Sequence, residues 1–355
     1  MALAQEDPRA TEAPRPWRYG FSTCLPCLPP LWAQGEIPSY LHRQNNMAPD
    51  GDATMPADVY EVFQTDWVML ALPFFLLALV LEYRWALTRR PEIYQRDDFK
   101  ASMGVMLLTV VVDVLPKLLG IWLMFLAYAY SPFKDVIGTA WYWWVLLFFL
   151  DDLTYYFFHR GNHEVRFMWA GHVSHHNSQY YNLGTALRQG VGERVIKYFF
   201  WCPLALLGFH PMMIVTMLSV SLIYQYWLHT QAIDRLPRWI EFIFNTPSHH
   251  RVHHSSNVKY LDRNHGAALI IWDRLFGTFS EEANSDPVRY GLTRNIESNN
   301  VLGVAFGEYR KMWVDVRRAE RLRDKLGYLL RAPGWSHDGP DNRSNTLRAQ
   351  AAGSG

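Results

Sequence analysis

Cysteine is scarce, with three in 355 residues at Cys24, Cys27 and Cys202. An odd count excludes a fully paired disulfide framework, and so few thiolates exclude a sulfur-built metal site. Cys24-Leu-Pro-Cys27 has the spacing of a redox or zinc half-site. No second pair answers it and it lies in a Pro-rich run, which makes it a chance match. Net charge is nearly absent too, because 34 Lys and Arg against 33 Asp and Glu leave +1. That balance removes any general electrostatic case for nucleic acid as a partner. No basic start followed by an apolar stretch marks a cleaved signal peptide. Residues 1–57 show no hydrophobic periodicity and are rich in Pro, Gly, Asn and Asp, so they are expected to form a disordered N-terminal tail.

What the chain does have is apolar length. Trp67 to Leu81 is nearly uncharged and continues through Trp85. That is close to the length of about 20 residues that a membrane-crossing helix needs. Ala101 to Tyr130 is long enough to cross, although Asp113, Pro116 and Lys117 interrupt it. Asp113 and Lys117 stand one turn apart and are expected to pair, with a kink at Pro116. Val136 to Phe158 is a third segment, opened by the aromatic cluster Trp141 to Trp144. Val195 to Leu207 and Pro211 to Leu228 read as a helical hairpin around Gly208-Phe-His. Arg84, Arg89, Arg90, Arg96 and Lys100 follow the first segment, whereas Asp58, Glu61 and Asp66 precede it. By the positive-inside rule the basic loop is cytoplasmic, and two further crossings return the chain to that side at His159.

The second abundance is histidine. Nine of the 14 fall in three short runs: His159-Arg-Gly-Asn-His163, His172-Val-Ser-His175-His176 and His249-His250-Arg-Val-His253-His254. On a helix, residues three or four apart share a face. His159 therefore stands with His163, His172 with His175 and His176, and His250 with His253 and His254. His229, at the end of the hairpin, is a ninth candidate ligand. His249 is out of phase by one residue, and His265 reads as a pocket residue or a partner of the ligands. His42, His210 and His337 read as ordinary histidines. The topology places all three runs on one cytoplasmic face.

So many imidazoles exceed the four ligands of a tetrahedral zinc and can serve two metal ions. Two metals held by neutral imidazoles at a membrane boundary point to O2 chemistry on a C–H bond, with a lipid from the bilayer as substrate. Ligating imidazoles need acceptors that fix their tautomers. Asp151, Asp152, Glu164, Asp262 and Asp273 are available, and Asp152 and Glu164 are the preferred candidates.

The three motifs with apolar segments between them resemble the fatty acid hydroxylase and sterol desaturase superfamily. Longer stretches are similar to its alkylglycerol monooxygenase branch, bacterial members included. They are His159-Arg-x-x-His163-Glu164-Val, Met168-Trp-Ala-Gly-His172, Tyr181 to Gln189, Asn245 to His254 and Leu269 to Phe279. The resemblance covers about residues 60–295. It implies an all-α integral membrane helical bundle capped by a histidine-rich di-metal helical region. The implied activity is a di-iron, O2-dependent oxidoreductase that hydroxylates or desaturates a lipid C–H bond. In the alkylglycerol branch the reductant is tetrahydrobiopterin and the ether lipid is cleaved. The resemblance also supports His229 as a ligand, and it makes Glu164 the candidate for pterin contact. The expected organisation is a domain over residues 58–295, an amphipathic helical extension over 296–335 and a loose end over 336–355. Two other readings stand beside this one. One is a sterol or fatty-acyl hydroxylase or desaturase with a ferredoxin or cytochrome as electron-transfer partner. The other is a zinc transporter or metal store, which the placement of the clusters on one face disfavours.

Overall fold

The protein is described from a computed structural model over residues 67–296 and 298–353. The expected N-terminal tail lies outside the described residues. Helices are the regular elements among them, with two isolated antiparallel bridges, Phe244 to Leu269 and Ser255 to Tyr290.

Helix α1 (Trp67–Arg89) follows from an apolar run with no glycine, and only 6% of its most apolar window is buried. Met69, Leu70, Phe74, Leu77 and Leu81 face outward. By length and composition α1 can cross a membrane. Its one buried carboxylate, Glu82, accepts from Tyr94 Oη at 2.6 Å and from the Leu183 amide at 2.8 Å, and bonds Thr230. This knot ties the basic end of α1 to the segments that lead to the histidines.

Helices α2 (Arg96–Val112) and α3 (Val114–Ala129) meet at a 49° bend, and would make a second crossing if taken together. The bend lies at Asp113, three residues before the proline expected to cause it. Pro116 falls in the first turn of α3, where a missing N–H costs nothing. Asp113 does not pair with Lys117. It accepts from Arg194 at 2.6 Å and from the Gly192 amide at 3.2 Å, because the bend turns it toward the next hairpin.

Helix α4 (Trp141–Glu164) runs from the aromatic cluster to His163 without interruption. Val165 alone, with extended backbone, separates it from α5 (Arg166–His176). The short α6 (Leu183–Ala186), capped by Asn182, precedes the hairpin of α7 (Arg194–Leu206) and α8 (Pro211–Tyr226). Pro211 opens α8 where proline is pre-set for a helix start. Met124, Trp144, Leu147, Phe158, Trp201 and Met213 form the main core among α3, α4, α7 and α8. Helices α9 (Arg238–Ile243), α10 (Pro247–His253) and α11 (Ile271–Phe276) are short and follow the hairpin.

The amphipathic stretch near residues 303–330 is two helices, α12 (Val301–Arg318) and α13 (Leu322–Leu330). Buried Ala319 is extended and breaks the run. The break lets both helices pack on α5, where Arg166 pairs with Glu308 at 3.0 Å and Asp315 at 2.7 Å. The Arg331 carbonyl accepts the first amide of α5 at 3.0 Å. Where the sequence suggests a loose end, Ser344–Gly353 forms α14, whose Arg348 bonds the Leu261 carbonyl.

Gly120 lets α3 approach α7, since a Cβ there would lie 2.3 Å from the Tyr198 ring. Gly120→Leu should destabilise the protein by about 1–3 kcal/mol through overpacking. Thermal unfolding in detergent measures this, with Gly138→Ala, which meets nothing within 4 Å, as the unchanged control.

Candidate metal centre

The nine candidate histidines come together in two buried sets. One is His159, His163, His172, His176 and His253, and the other is His175, His229, His250 and His254. Within each set the ligand atoms lie within 4.8 Å of one another. Helical geometry and the facing of α5 and α10 together give the sorting. At about 100° per residue, position i+4 lies about 40° to one side of i and i+3 about 60° to the other, so the two can face different sets. His172 therefore stays with His176, and His250 with His254. His175 and His253, the middle members, cross to the opposite sets. His172 was expected to meet both neighbours, but its set includes only His176. His229 enters from the turn after α8.

The rings point their Nε2 atoms inward. Nε2 to Nε2 distances are 3.2 Å for His159 to His172, 3.1 Å for His172 to His176 and 3.1 Å for His176 to His253. In the other set they are 3.2 Å for His175 to His229, 3.0 Å for His229 to His250 and 3.2 Å for His250 to His254. Two nitrogens each about 2.1 Å from an ion and at right angles would be about 3.0 Å apart, against about 3.4 Å in a tetrahedron. The observed spacing fits near-right-angled ligands.

The outer nitrogens fix the tautomers. His175 Nδ1 donates to the Arg188 carbonyl at 3.0 Å and His229 Nδ1 to the Gln225 carbonyl at 3.0 Å. Their Nε2 atoms are then both unprotonated, and two lone pairs face each other at 3.2 Å. Only a cation between them relieves that opposition. His159 and His253 are oriented the same way, by the carbonyls of His265 and Arg263 at 2.9 Å each. The residues present thus fit a metal cofactor, which the histidine sets imply.

Two carboxylates complete the outer shell. Asp262 lies 3.4 Å from His163 Nδ1, and Glu193 lies 3.4 Å from His172 Nδ1 while accepting from Asn162 at 2.7 Å. Glu193 carried no signal in the sequence, since it follows a glycine turn outside any histidine run. The structure places the two preferred carboxylates elsewhere. Asp152 accepts from the amides of Ala268 and Leu269 and from Trp272 Nε1, at 2.7, 3.1 and 2.9 Å, and so holds the loop beside the site. Glu164 is half-exposed and pairs with Arg160 at 2.8 Å. Asp151 accepts from Trp201 at 2.7 Å, and Asp273 from the amides of His265 and Gly266 at 2.7 Å each. His249 turns away, against Phe279 and 3.3 Å from Thr246 Oγ1. His265 is buried beside the larger set, outside it.

Burial, then the neighbouring rings, hold the imidazoles of His172, His176, His250, His253 and His254 well below their ordinary 6.5. Burial pushes His175 down to about 4. Neutral rings are the form that binds metal. In the metal-free protein the unfolded chain binds more protons between pH 6.5 and about 4. Stability should therefore fall as pH falls through that window. Thermal unfolding of chelator-treated protein at pH 7.5, 6 and 5 should show a declining midpoint, and a flat profile would show the rings are not held neutral. Glu193→Gln should weaken metal retention against a chelator by about 10–100-fold, because His172 loses its anionic neighbour.

Residues 144–278 match the family model for fatty acid hydroxylase. The chain is 39% identical over 281 residues to alkylglycerol monooxygenase of Danio rerio, covering 77% of this chain and 61% of that protein. It is 37% identical over 282 residues to alkylglycerol monooxygenase of Homo sapiens, covering 78% and 61%. Ornithine lipid hydroxylase OlsE of Rhizobium tropici is 26% identical over 161 residues, covering 43% of this chain and 46% of that protein. No solved structure matches. The chain spans about three fifths of the length of the alkylglycerol monooxygenases it matches. Residues 144–278, which match the fatty acid hydroxylase model, contain all nine clustered histidines, and the chain around them is similar to the alkylglycerol monooxygenases.

Proposed function

We propose that this protein is a multi-pass membrane oxygenase that inserts one atom of O2 into a lipid C–H bond, with an alkylglycerol ether lipid as its substrate. The observation that carries the reading is the pair of imidazole sets with inward Nε2 atoms 3.0–3.2 Å apart. His159, His163, His172, His176 and His253 would hold one iron ion, and His175, His229, His250 and His254 the other. When bound, the irons supply the reduction of O2 and the oxidising power needed for an unactivated C–H bond.

The chain's own groups prepare the site. The carbonyls of Arg188, Gln225, His265 and Arg263 orient rings, and Glu193 and Asp262 stand behind two more. Arg188, fully buried, is braced by Asp98 at 2.9 Å, which steadies the carbonyl that His175 uses. The nine histidines are all buried, which keeps bulk water away.

Several features support the proposed membrane placement. Helix α1 is apolar and exposed, and the bent pair α2–α3 exposes Leu107, Val111, Leu115, Leu118 and Trp122. The basic end of α1 lies with the histidines, since Asn182 Nδ2 donates to the Ile93 carbonyl at 2.6 Å and Arg188 meets Asp98. Arginines at that end make it the cytoplasmic side. Trp239, Phe242, Leu275 and Phe276 are exposed apolar side chains, and Phe276 lies tilted against Phe157 with ring centroids 5.2 Å apart. These apolar side chains are the surface from which a bilayer lipid would approach the centre. The similarity to an ornithine lipid hydroxylase favours a second reading, in which a membrane lipid with another headgroup is hydroxylated. Tetrahydrobiopterin is the reductant of the first reading and a ferredoxin or cytochrome that of the second.

Untargeted lipidomics on cells expressing wild type and His175→Ala tests this. Alkylglycerols should fall in the wild type alone. Intact alkylglycerols with another lipid gaining oxygen would transfer the assignment to that lipid. His175→Ala leaves three imidazoles in its set and His253→Ala leaves four in the other. Elemental analysis should accordingly find the larger loss of iron in His175→Ala.

A further inference from the structure

We propose that His265 is a tenth histidine of the centre, one that binds a small polar or anionic ligand at the corner of the larger set bounded by His159, His163 and His253. This rests on the reading of the two sets as a metal centre. His265 is fully buried, and neither Nδ1 nor Nε2 has a hydrogen-bond partner. Buried polar groups are almost always satisfied, so two free nitrogens on one ring call for a cause. The ring centroid lies 5.1 Å from His163, 5.6 Å from His253 and 5.7 Å from His159. Its nitrogens fall outside the group of atoms that lie within 4.8 Å of one another. The ring is thus too far back to join the five, yet it borders three of them. The five imidazoles would hold one ion, and a small ligand bound beside them would border His265.

The loop that carries His265 is built to hold it still. Asp262 and Asn264 take left-handed backbone, at φ 52° and 57°. The Asn264 amide donates to the carbonyls of His249 at 3.0 Å and Ser280 at 2.8 Å, and its oxygen accepts from the Ser280 amide at 2.8 Å. Asp273 accepts the amides of His265 and Gly266 at 2.7 Å each, and Thr278 Oγ1 at 2.6 Å. Gly266 permits the tight closure, since a Cβ would lie 2.4 Å from the Leu269 carbonyl oxygen. The His265 carbonyl meanwhile orients His159. A ring fixed in this way loses little freedom when it binds.

The chemistry selects the ligand. A neutral imidazole offers one N–H donor and one acceptor. Tyr156 stands edge-on at 6.2 Å, so His265 has aromatic neighbours in Tyr156 and the three ligand rings, and a ligand of a few atoms fits the proposal better than a lipid chain. His265 is a positioning residue for such a molecule.

Sodium azide is the probe. Iron-loaded wild type, His265→Phe and His265→Gln are compared by elemental analysis and by azide titration followed in the visible spectrum. All three should hold the same iron. Azide affinity should fall about tenfold or more in His265→Phe, and His265→Gln, which keeps an N–H donor, should recover part of it. Unchanged azide affinity and spectrum in His265→Phe would overturn the proposal. Loss of iron from both variants would overturn it too, by making His265 a ligand. A wild type without metal would remove the centre itself, whereas normal iron with indifferent azide binding removes only the role of His265.

Discussion

Two unprotonated imidazole nitrogens facing each other at 3.2 Å are an unfavourable arrangement that a bound cation makes favourable. The rest of the structure serves that condition. Backbone carbonyls hold the protons on the outer nitrogens of His159, His175, His229 and His253. Burial keeps the rings neutral. The two HxxHH helices exchange their middle histidines, so each set draws on both helices and neither can form without the other. A bound metal would therefore couple α5 to α10, and its binding free energy would add to folding free energy.

The surrounding ion pairs act on the same elements. Arg166 fastens α5 to α12, with partners at 3.0 and 2.7 Å, and the carbonyl of Arg331 holds its first amide. Arg188 and Asp98 tie the segment beside His175 to α2. Glu82 anchors the end of α1 near Thr230, one residue past His229. Apolar helices thus end in polar knots that brace the histidines. Buried charges persist in this way where they are paired and hydrogen-bonded.

Much of this was legible in the residues, for a definite reason. Helical periodicity is a property of the chain alone, so His159 with His163, and the inward faces of α5 and α10, could be read without coordinates. His229 could be read from its place at the end of the hairpin, and the resemblance supported it. The sorting into sets could not be read, because it depends on how α5 and α10 face each other. The partners of buried charges were equally hidden. Asp113 was matched to Lys117 on its own helix, but the bend delivers it to Arg194. Asp152 looked like a neighbour of the ligands because it is two turns before His159, yet it holds the amides of Ala268 and Leu269. Glu193 comes from a glycine turn with no pattern to mark it. The stretch after residue 300 showed one amphipathic period, and only tertiary packing on α5 revealed the break at Ala319.

Anomalous scattering at the iron edge from crystals of the purified protein tests the two-metal centre most directly. Two iron peaks are expected, one within the ring of His159, His163, His172, His176 and His253, and one within that of His175, His229, His250 and His254. A single peak shared by the two sets, or sets without metal while iron is bound elsewhere, would contradict it.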